Sequence, residues 1–232
     1  MQALAADHHF ADSATAAREA NMSKAAQKPA LPRQAPRTRP GPGARSDVKV
    51  FPLTPARWDD LVELFGPNGA CAGCWCMWWR LTQTQFNRDA GAANRKALKE
   101  IVDEGRVPGL LAYLDGKPVG WCSVAPREEY GRVVRSRTLR SVDDQPVWSI
   151  VCFYIDRAHR KRGVAKALIE SAVNYASKRG AKIVEGYPLD PDAASVTSSS
   201  AYVGTLPMFR EAGFDEVARR SKGRPIMRRG SL

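Results

Sequence analysis

One stretch, residues 147–176, constrains the fold of this chain more than any other. Residues 147–155 are almost continuously apolar and rich in β-branched and aromatic side chains, which predicts a strand buried on both faces. Further along, Leu168, Ile169 and Ala172 recur at helical spacing, with charged side chains on the opposite side. The stretch therefore predicts a buried strand followed by an amphipathic helix.

The turn between this strand and this helix, residues 156–165, is strongly basic and contains Gly163. The first turn of a helix carries unpaired N–H groups and the positive end of the helix dipole, so a basic turn that opens into a helix suits an anion. A glycine lets the backbone approach that anion closely. The first prediction is therefore a ligand that carries phosphate.

The order Arg160-x-x-Gly163-x-Ala165 after a buried strand resembles the acetyl-coenzyme A signature of the GNAT N-acetyltransferases. Residues 208–214 resemble another helix of that family, although Phe209 stands where the family usually has tyrosine. The resemblance implies an α/β (α+β) fold, in which a central mixed and mostly antiparallel sheet is splayed between two parallel strands and flanked by helices. A solvated basic loop in some other βαβ protein is the alternative.

The resemblance also implies acetyl-coenzyme A as the co-substrate and identifies its contacts. The backbone of Phe153, Tyr154 and Ile155 would pair with the pantetheine arm like an added strand, with an amide polarising the thioester carbonyl. The pyrophosphate would be held by Arg160, Lys161, Arg162, Gly163, Val164, Ala165 and Lys166.

The groups that move protons are harder to identify. Phe209 has no proton to give, so the tyrosine acid of the family does not carry over to this chain. Tyr202 and Tyr187 are the candidate acids, and water is a third candidate. Glu185, on the strand that would border the cleft, is the candidate base, with an ordinary outward-facing acid as the alternative.

A cysteine- and tryptophan-rich segment, residues 71–79, contains three cysteines at x2 and x1 spacing. A structural zinc site needs four ligands, and no fourth is near in the sequence, so we expect no metal. The alternation of side chains predicts an extended segment. Cys74, Trp75 and Trp78 are candidate acceptor-binding residues, with simple core packing as the alternative.

The charge balance, 36 Lys and Arg against 24 Asp and Glu, leaves +12 and favours anionic partners. A coenzyme with three phosphate groups explains this charge as well as nucleic acid does, so nucleic acid is not the expected partner. The sequence contains no apolar run long enough to span a membrane and no secretory signal, which predicts a cytoplasmic protein without membrane contact. The oligomeric state stays open, a homodimer included.

Residues 1–46, rich in Ala, Pro and Arg, predict a disordered tail, and residues 47–232 predict one GNAT domain. Asp115-Gly116 predicts a two-residue hairpin turn, and residues 83–103 predict one helix. The predicted function is transfer of the acetyl group of acetyl-coenzyme A to an amine of a small molecule or peptide, by direct attack in a ternary complex. The alternative is a GNAT-like domain that binds coenzyme A or nucleic acid without catalysis.

Overall fold

A computed structural model describes residues 47–193, 197 and 200–230 of the chain. The predicted N-terminal tail, residues 1–46, lies outside the described residues, as do residues 194–196, 198–199 and 231–232. The division of the chain into a tail and one domain stays a prediction.

The strands of the described chain form one seven-stranded sheet in the order β1-β2-β3-β4-β5-β7-β6. They are β1 (Lys49–Pro52), β2 (Gly109–Leu114), β3 (Lys117–Pro126), β4 (Trp148–Ile155), β5 (Ile183–Gly186), β6 (Asp215–Arg219) and β7 (Pro225–Gly230). All neighbouring strands are antiparallel except β4 and β5, which are parallel. The predicted fold class, a mixed and mostly antiparallel sheet flanked by helices, is confirmed.

Helices cover both faces of the sheet. They are α1 (Trp58–Phe65), α2 (Gln83–Arg88), α3 (Ala92–Asp103), α4 (Gly131–Arg135), α5 (Val164–Lys178) and α6 (Leu206–Glu211). The apolar face of α5, with Leu168 and Ala172, packs in one core cluster with Cys122 and Ile150 of the sheet. Helices α1 and α3 pack on the other face around Trp121. Cys122 and Trp121 are neighbours on β3, so their side chains point to opposite faces of the sheet.

The parallel pair β4 and β5 separates soon after it forms. Only Trp148, Ser149 and Ile150 of β4 have partners on β5, whereas β4 continues along β3 as far as Ile155. The register between β3 and β4 shifts at Val151, which is an extra residue on β4. A β-bulge of this kind bends the strand that carries it. The second half of β4 therefore has no strand partner on its β5 side in the described chain.

The extended conformation predicted for residues 71–79 is wrong. The segment folds as successive turns, and Trp75 and Cys76 both adopt left-handed backbone angles, with φ of 44° and 59°. The turns bring the Trp75 ring to 6.2 Å from the Trp58 ring of α1, measured between centroids. Burial of the Trp75 indole therefore favours the turns over a regular strand.

The single helix predicted over residues 83–103 is also wrong, because a break at Gly91 separates α2 from α3. Gly91 has φ of 81° and donates its backbone N–H to the Gly73 carbonyl at 3.0 Å. A side chain on Gly73 would come within 2.4 Å of the Gly91 nitrogen. The close approach of two glycine backbones therefore ends the first helix, and local helical periodicity does not reveal such a contact.

Candidate active site

The start of α5 is open. Gly163 precedes it with φ of 78°, and none of the described side chains caps the helix at this position. A Cβ at Gly163 would meet no atom within 4 Å. The space beside Gly163 is therefore open at the start of α5, where unpaired N–H groups of the first helical turn suit an anion.

Internal hydrogen bonds shape the basic turn before α5. The Asp156 carboxylate accepts from the Ala158 backbone N–H at 2.9 Å and lies 2.7 Å from His159 Nδ1. Burial opposes ionisation of Asp156, but these two hydrogen bonds outweigh it and hold the pKa of Asp156 below its ordinary value. Arg160 Nε donates to the Ile155 carbonyl at 3.2 Å. The predicted phosphate contacts from Arg160 to Lys166 thus lie together, in a turn that internal hydrogen bonds shape.

The free edge of β4 leads away from this turn. Asp156 N–H donates to the Val119 carbonyl of β3 at 3.0 Å. Because backbone groups of an antiparallel strand alternate in direction, the N–H and C=O groups of Phe153 and Ile155 point away from β3, towards the side where β5 has separated. The backbone N–H and C=O groups of Tyr154 point to Trp121 of β3. Of the three predicted pantetheine contacts, therefore, only Phe153 and Ile155 have backbone groups directed into the gap between β4 and β5.

Glu185 and Tyr187, a predicted base and a predicted acid, lie in one closed polar cluster. The Tyr187 hydroxyl donates to Glu185 Oε2 at 2.7 Å, and Arg228 Nε donates to Glu185 Oε1 at 2.8 Å. Glu185 is 1% exposed. Burial and the Glu185 charge raise the pKa of Tyr187 well above its usual value. Both carboxylate oxygens are engaged and shielded from solvent, so this geometry gives no support to Glu185 as the base.

Tyr202 has a different environment from Tyr187. It lies in a short 3-10 helix, Ala201–Val203, and packs in the same cluster as Val151 and Cys152 of β4. Burial raises the pKa of Tyr202 to about 12, so its hydroxyl keeps its proton at neutral pH. Tyr202 lines a cavity.

That cavity, which we call the acceptor cavity, has a volume of about 530 Å³. Its lining residues are Trp78, Trp79, Thr82, Gln83, Arg132, Arg135, Ser136, Thr138, Leu139, Tyr202 and Arg224. Trp78 is the predicted acceptor-binding residue that lies in it. Trp75 instead is 5% exposed in the core around Trp121. The arginines and Trp79 were missed by the sequence analysis, although the arginine-rich segment 126–139 was a signal.

Cys74 lies outside the acceptor cavity lining, beside the buried thiols of Cys76 and Cys152. A hydrogen bond from Cys152 lowers the pKa of Cys76 to about 7, against the opposing effect of burial, and Trp121 Nε1 donates to the Cys76 sulfur at 3.1 Å. Burial raises the pKa of Cys74 to about 11. Within the described ranges, no group of three His, Cys, Asp or Glu side chains is placed to hold a metal ion.

Comparison with known proteins identifies the family. The model of the acetyltransferase (GNAT) family matches residues 75–196, more than half of the 232 residues. The chain belongs to the GNAT family. The match includes β4, the basic turn and α5 of this GNAT domain. None of the helices that the structure describes has the length and apolar character needed to cross a membrane.

Solved structures similar to this GNAT chain include three N-acetyltransferases or GNAT acetyltransferases. An N-acetyltransferase from Staphylococcus aureus Mu50 is 11% identical, with 81% of this chain and 100% of that chain covered and a TM-score of 0.48. A GNAT acetyltransferase from Streptococcus pneumoniae is 14% identical, with 80% and 100% covered and a TM-score of 0.48. The PaiA N-acetyltransferase from Thermoplasma acidophilum, in complex with coenzyme A, is 14% identical, with 79% and 98% covered and a TM-score of 0.45. A search of curated proteins finds no match.

Phe209 stands where the resemblance to the family implies a tyrosine. The side chain is 0% exposed, and its ring packs against Phe153 at 6.1 Å and against Phe214 at 5.0 Å between centroids. Gly186 of β5 makes room for it, because a Cβ there would lie 2.0 Å from a Phe209 ring carbon. Phe209 is therefore a core residue with no acid–base role.

Proposed function

We propose that this protein is an N-acetyltransferase that binds acetyl-coenzyme A at the start of α5 and transfers its acetyl group to an amine in the acceptor cavity. The observation that carries the proposal is the separation of β4 from β5 after three residue pairs, directly next to an uncapped helix start. A free strand edge can pair with an amide-bearing arm, and an open helix start can bind a diphosphate. Together they suit a long ligand that carries both groups.

This geometry supports the proposed coenzyme contacts. The diphosphate would accept hydrogen bonds from backbone N–H groups at Gly163, Val164, Ala165 and Lys166, while the side chains of Arg160, Lys161 and Arg162 supply positive charge. The pantetheine arm would pair with the outward backbone groups of Phe153 and with the Ile155 N–H, because the Ile155 carbonyl already accepts a hydrogen bond from Arg160 Nε. Open space at Gly163 supports the first contact, and the free edge of β4 supports the second.

The proposed chemistry is direct attack in a ternary complex. The neutral amine nitrogen attacks the thioester carbonyl carbon, a backbone N–H of β4 stabilises the oxyanion, and the carbon–sulfur bond then breaks. Tyr202, which keeps its proton at neutral pH, would donate that proton to the departing thiolate and regain one from solvent. The proton lost by the amine passes to water, because Glu185 is closed off by Arg228 and Tyr187. The products are an acetylated amine and coenzyme A.

Two measurements test this function on the full chain. Isothermal titration with acetyl-coenzyme A is expected to show one binding site per chain. Thiol release from acetyl-coenzyme A is then followed across a panel of amines, and at least one amine is expected to accelerate it. No binding at millimolar acetyl-coenzyme A would overturn the proposal.

Phe209 favours one alternative, a domain that binds the coenzyme without catalysis, because the usual tyrosine acid of the family is replaced by a core residue. The same two measurements separate the alternatives. Binding without thiol release for any amine identifies a non-catalytic domain, whereas amine-dependent thiol release identifies an enzyme.

A further inference from the structure

The acceptor cavity is lined by both cationic and aromatic side chains. Arg132, Arg135 and Arg224 line it, and no aspartate or glutamate is among the described lining residues. None of the three forms an ion pair with a carboxylate in the part of the chain that the structure describes. Arginines on β7 differ in this respect, since Arg228 and Arg229 both pair with carboxylates.

Arg132 is held in place without a counter-ion. Its Cζ lies 3.7 Å from the centroid of the Trp78 ring, and its Nη1 donates to Gln83 Oε1 at 3.2 Å. Its Nε and Nη2 are buried and have no hydrogen-bond partner among the described residues. A buried donor without a partner is destabilising, so a ligand oxygen that accepts a hydrogen bond from these groups would remove that cost.

Trp79, which lies beside Arg224, presents a similar unmet donor. Arg224 Cζ lies 5.7 Å from the centroid of the Trp79 ring. Trp79 is 6% exposed, and its Nε1 has no hydrogen-bond partner within the described ranges. Burial lowers the pKa of both Arg132 and Arg224, which means that the cavity disfavours their charged forms in the absence of an anion.

We infer that the acceptor is a small amine that also carries an anionic oxygen group, a carboxylate or a phosphate, which Arg132 and Arg224 bind while the amine faces Tyr202. Guanidinium groups match both anions in shape and charge. The volume of about 530 Å³ lies in the range of small-molecule sites, and the indoles of Trp78 and Trp79 suit the carbon skeleton of such a ligand. The inference rests on the proposed function, because it names the substrate class of the same site.

The test compares amines that differ only in the anionic group. L-Phenylalanine is paired with L-phenylalaninamide, and phosphoethanolamine is paired with ethanolamine. The first pair tests carboxylate and the second tests phosphate. We expect kcat/KM for the anionic member of at least one pair to exceed that of its neutral partner by about tenfold or more, in line with a desolvated charge-assisted hydrogen bond.

The variants Arg132→Gln and Arg224→Gln are expected to lower this anion preference to within about twofold of unity while acetyl-coenzyme A affinity stays unchanged. Arg95→Gln is the matched control, because Arg95 also stacks on a tryptophan, Trp75, at 5.3 Å, but lies outside the acceptor cavity lining. The control should keep the full preference. Equal rates for charged and neutral partners in the parent protein, or an unchanged preference in both cavity variants, would overturn the inference.

A second readout keeps this inference distinct from the proposed function. Titration of the same four amines into the complex with coenzyme A measures binding without turnover. Selective binding of the anionic amines without thiol release would support the inferred anion site and contradict the proposed acetyl transfer. Thiol release without anion selectivity would retain acetyl transfer and overturn the anion site.

Discussion

Replacing Gly163 by glutamate tests the phosphate site at the start of α5. The substitution puts a carboxylate into the open space where a diphosphate is proposed to lie. Two unit charges about 4 Å apart interact by about 4 kcal/mol at an effective dielectric constant of about 20. Since about 1.4 kcal/mol corresponds to a factor of ten in affinity, this repulsion predicts a loss of affinity of several hundredfold. Screening by salt weakens the repulsion, and we expect the remaining loss of affinity to be at least about tenfold.

Gly180→Glu provides the matched control for this variant. Gly163 and Gly180 lie at opposite ends of α5, with φ of 78° and 84°, and a Cβ at either position meets no atom within 4 Å. Both variants therefore carry the same left-handed strain, roughly 1–2 kcal/mol. A carboxylate is more favourable at the start of a helix than at its end, so the control should be the less stable of the two.

The assay is isothermal titration of acetyl-coenzyme A, with urea unfolding of each variant to measure stability. We expect Gly163→Glu to lose at least about tenfold in affinity while Gly180→Glu binds like the parent. Parent-like affinity in Gly163→Glu, or an equal loss in both variants, would refute the reasoning.

Three further predictions concern single residues. Tyr202→Phe should lower kcat for the best amine by about a hundredfold, measured by steady-state kinetics, and should leave the acetyl-coenzyme A affinity measured by titration unchanged. An unchanged kcat would show that Tyr202 is not the acid. Gly186→Ala should destabilise the domain by about 1–3 kcal/mol in urea unfolding, because the new Cβ would overlap the Phe209 ring. Gly230→Ala on β7 is the control, since a Cβ at Gly230 meets no atom within 4 Å. Folding lowers the pKa of Cys76 from 9.0 to about 7, so the folded state favours the Cys76 thiolate. The stability that the thiolate contributes is fully present above pH 9 and is lost as the pH falls through about 7. The difference in unfolding free energy between the parent and Cys76→Ser should therefore grow as the pH rises across that interval, and a pH-independent difference would contradict the assignment.

The strand, turn and helix around Gly163 could be predicted because their signals are local. The apolar run that becomes β4, the glycine before α5 and the helical spacing of Leu168 and Ala172 all lie within one short stretch. The β2–β3 hairpin is also local, since Asp115 and Gly116 both adopt the positive φ that a two-residue turn requires.

The acceptor cavity could not be predicted because its walls come from distant segments. Trp78, Arg132 and Arg224 meet only after α4 and the strands of the sheet have packed. Glu185 illustrates the same limit: its position on β5 was predicted, but its burial depends on Arg228, which reaches it from β7. Local pattern cannot distinguish a carboxylate that faces a cleft from one that an arginine of another strand covers.

A crystal structure of the full chain with coenzyme A tests the central claim most directly. We predict that the diphosphate lies within hydrogen-bonding distance of the backbone N–H groups from Gly163 to Lys166. The pantetheine arm should run along β4 and pair with Phe153 and Ile155. A coenzyme bound elsewhere, with the start of α5 and the free edge of β4 untouched, would contradict the account.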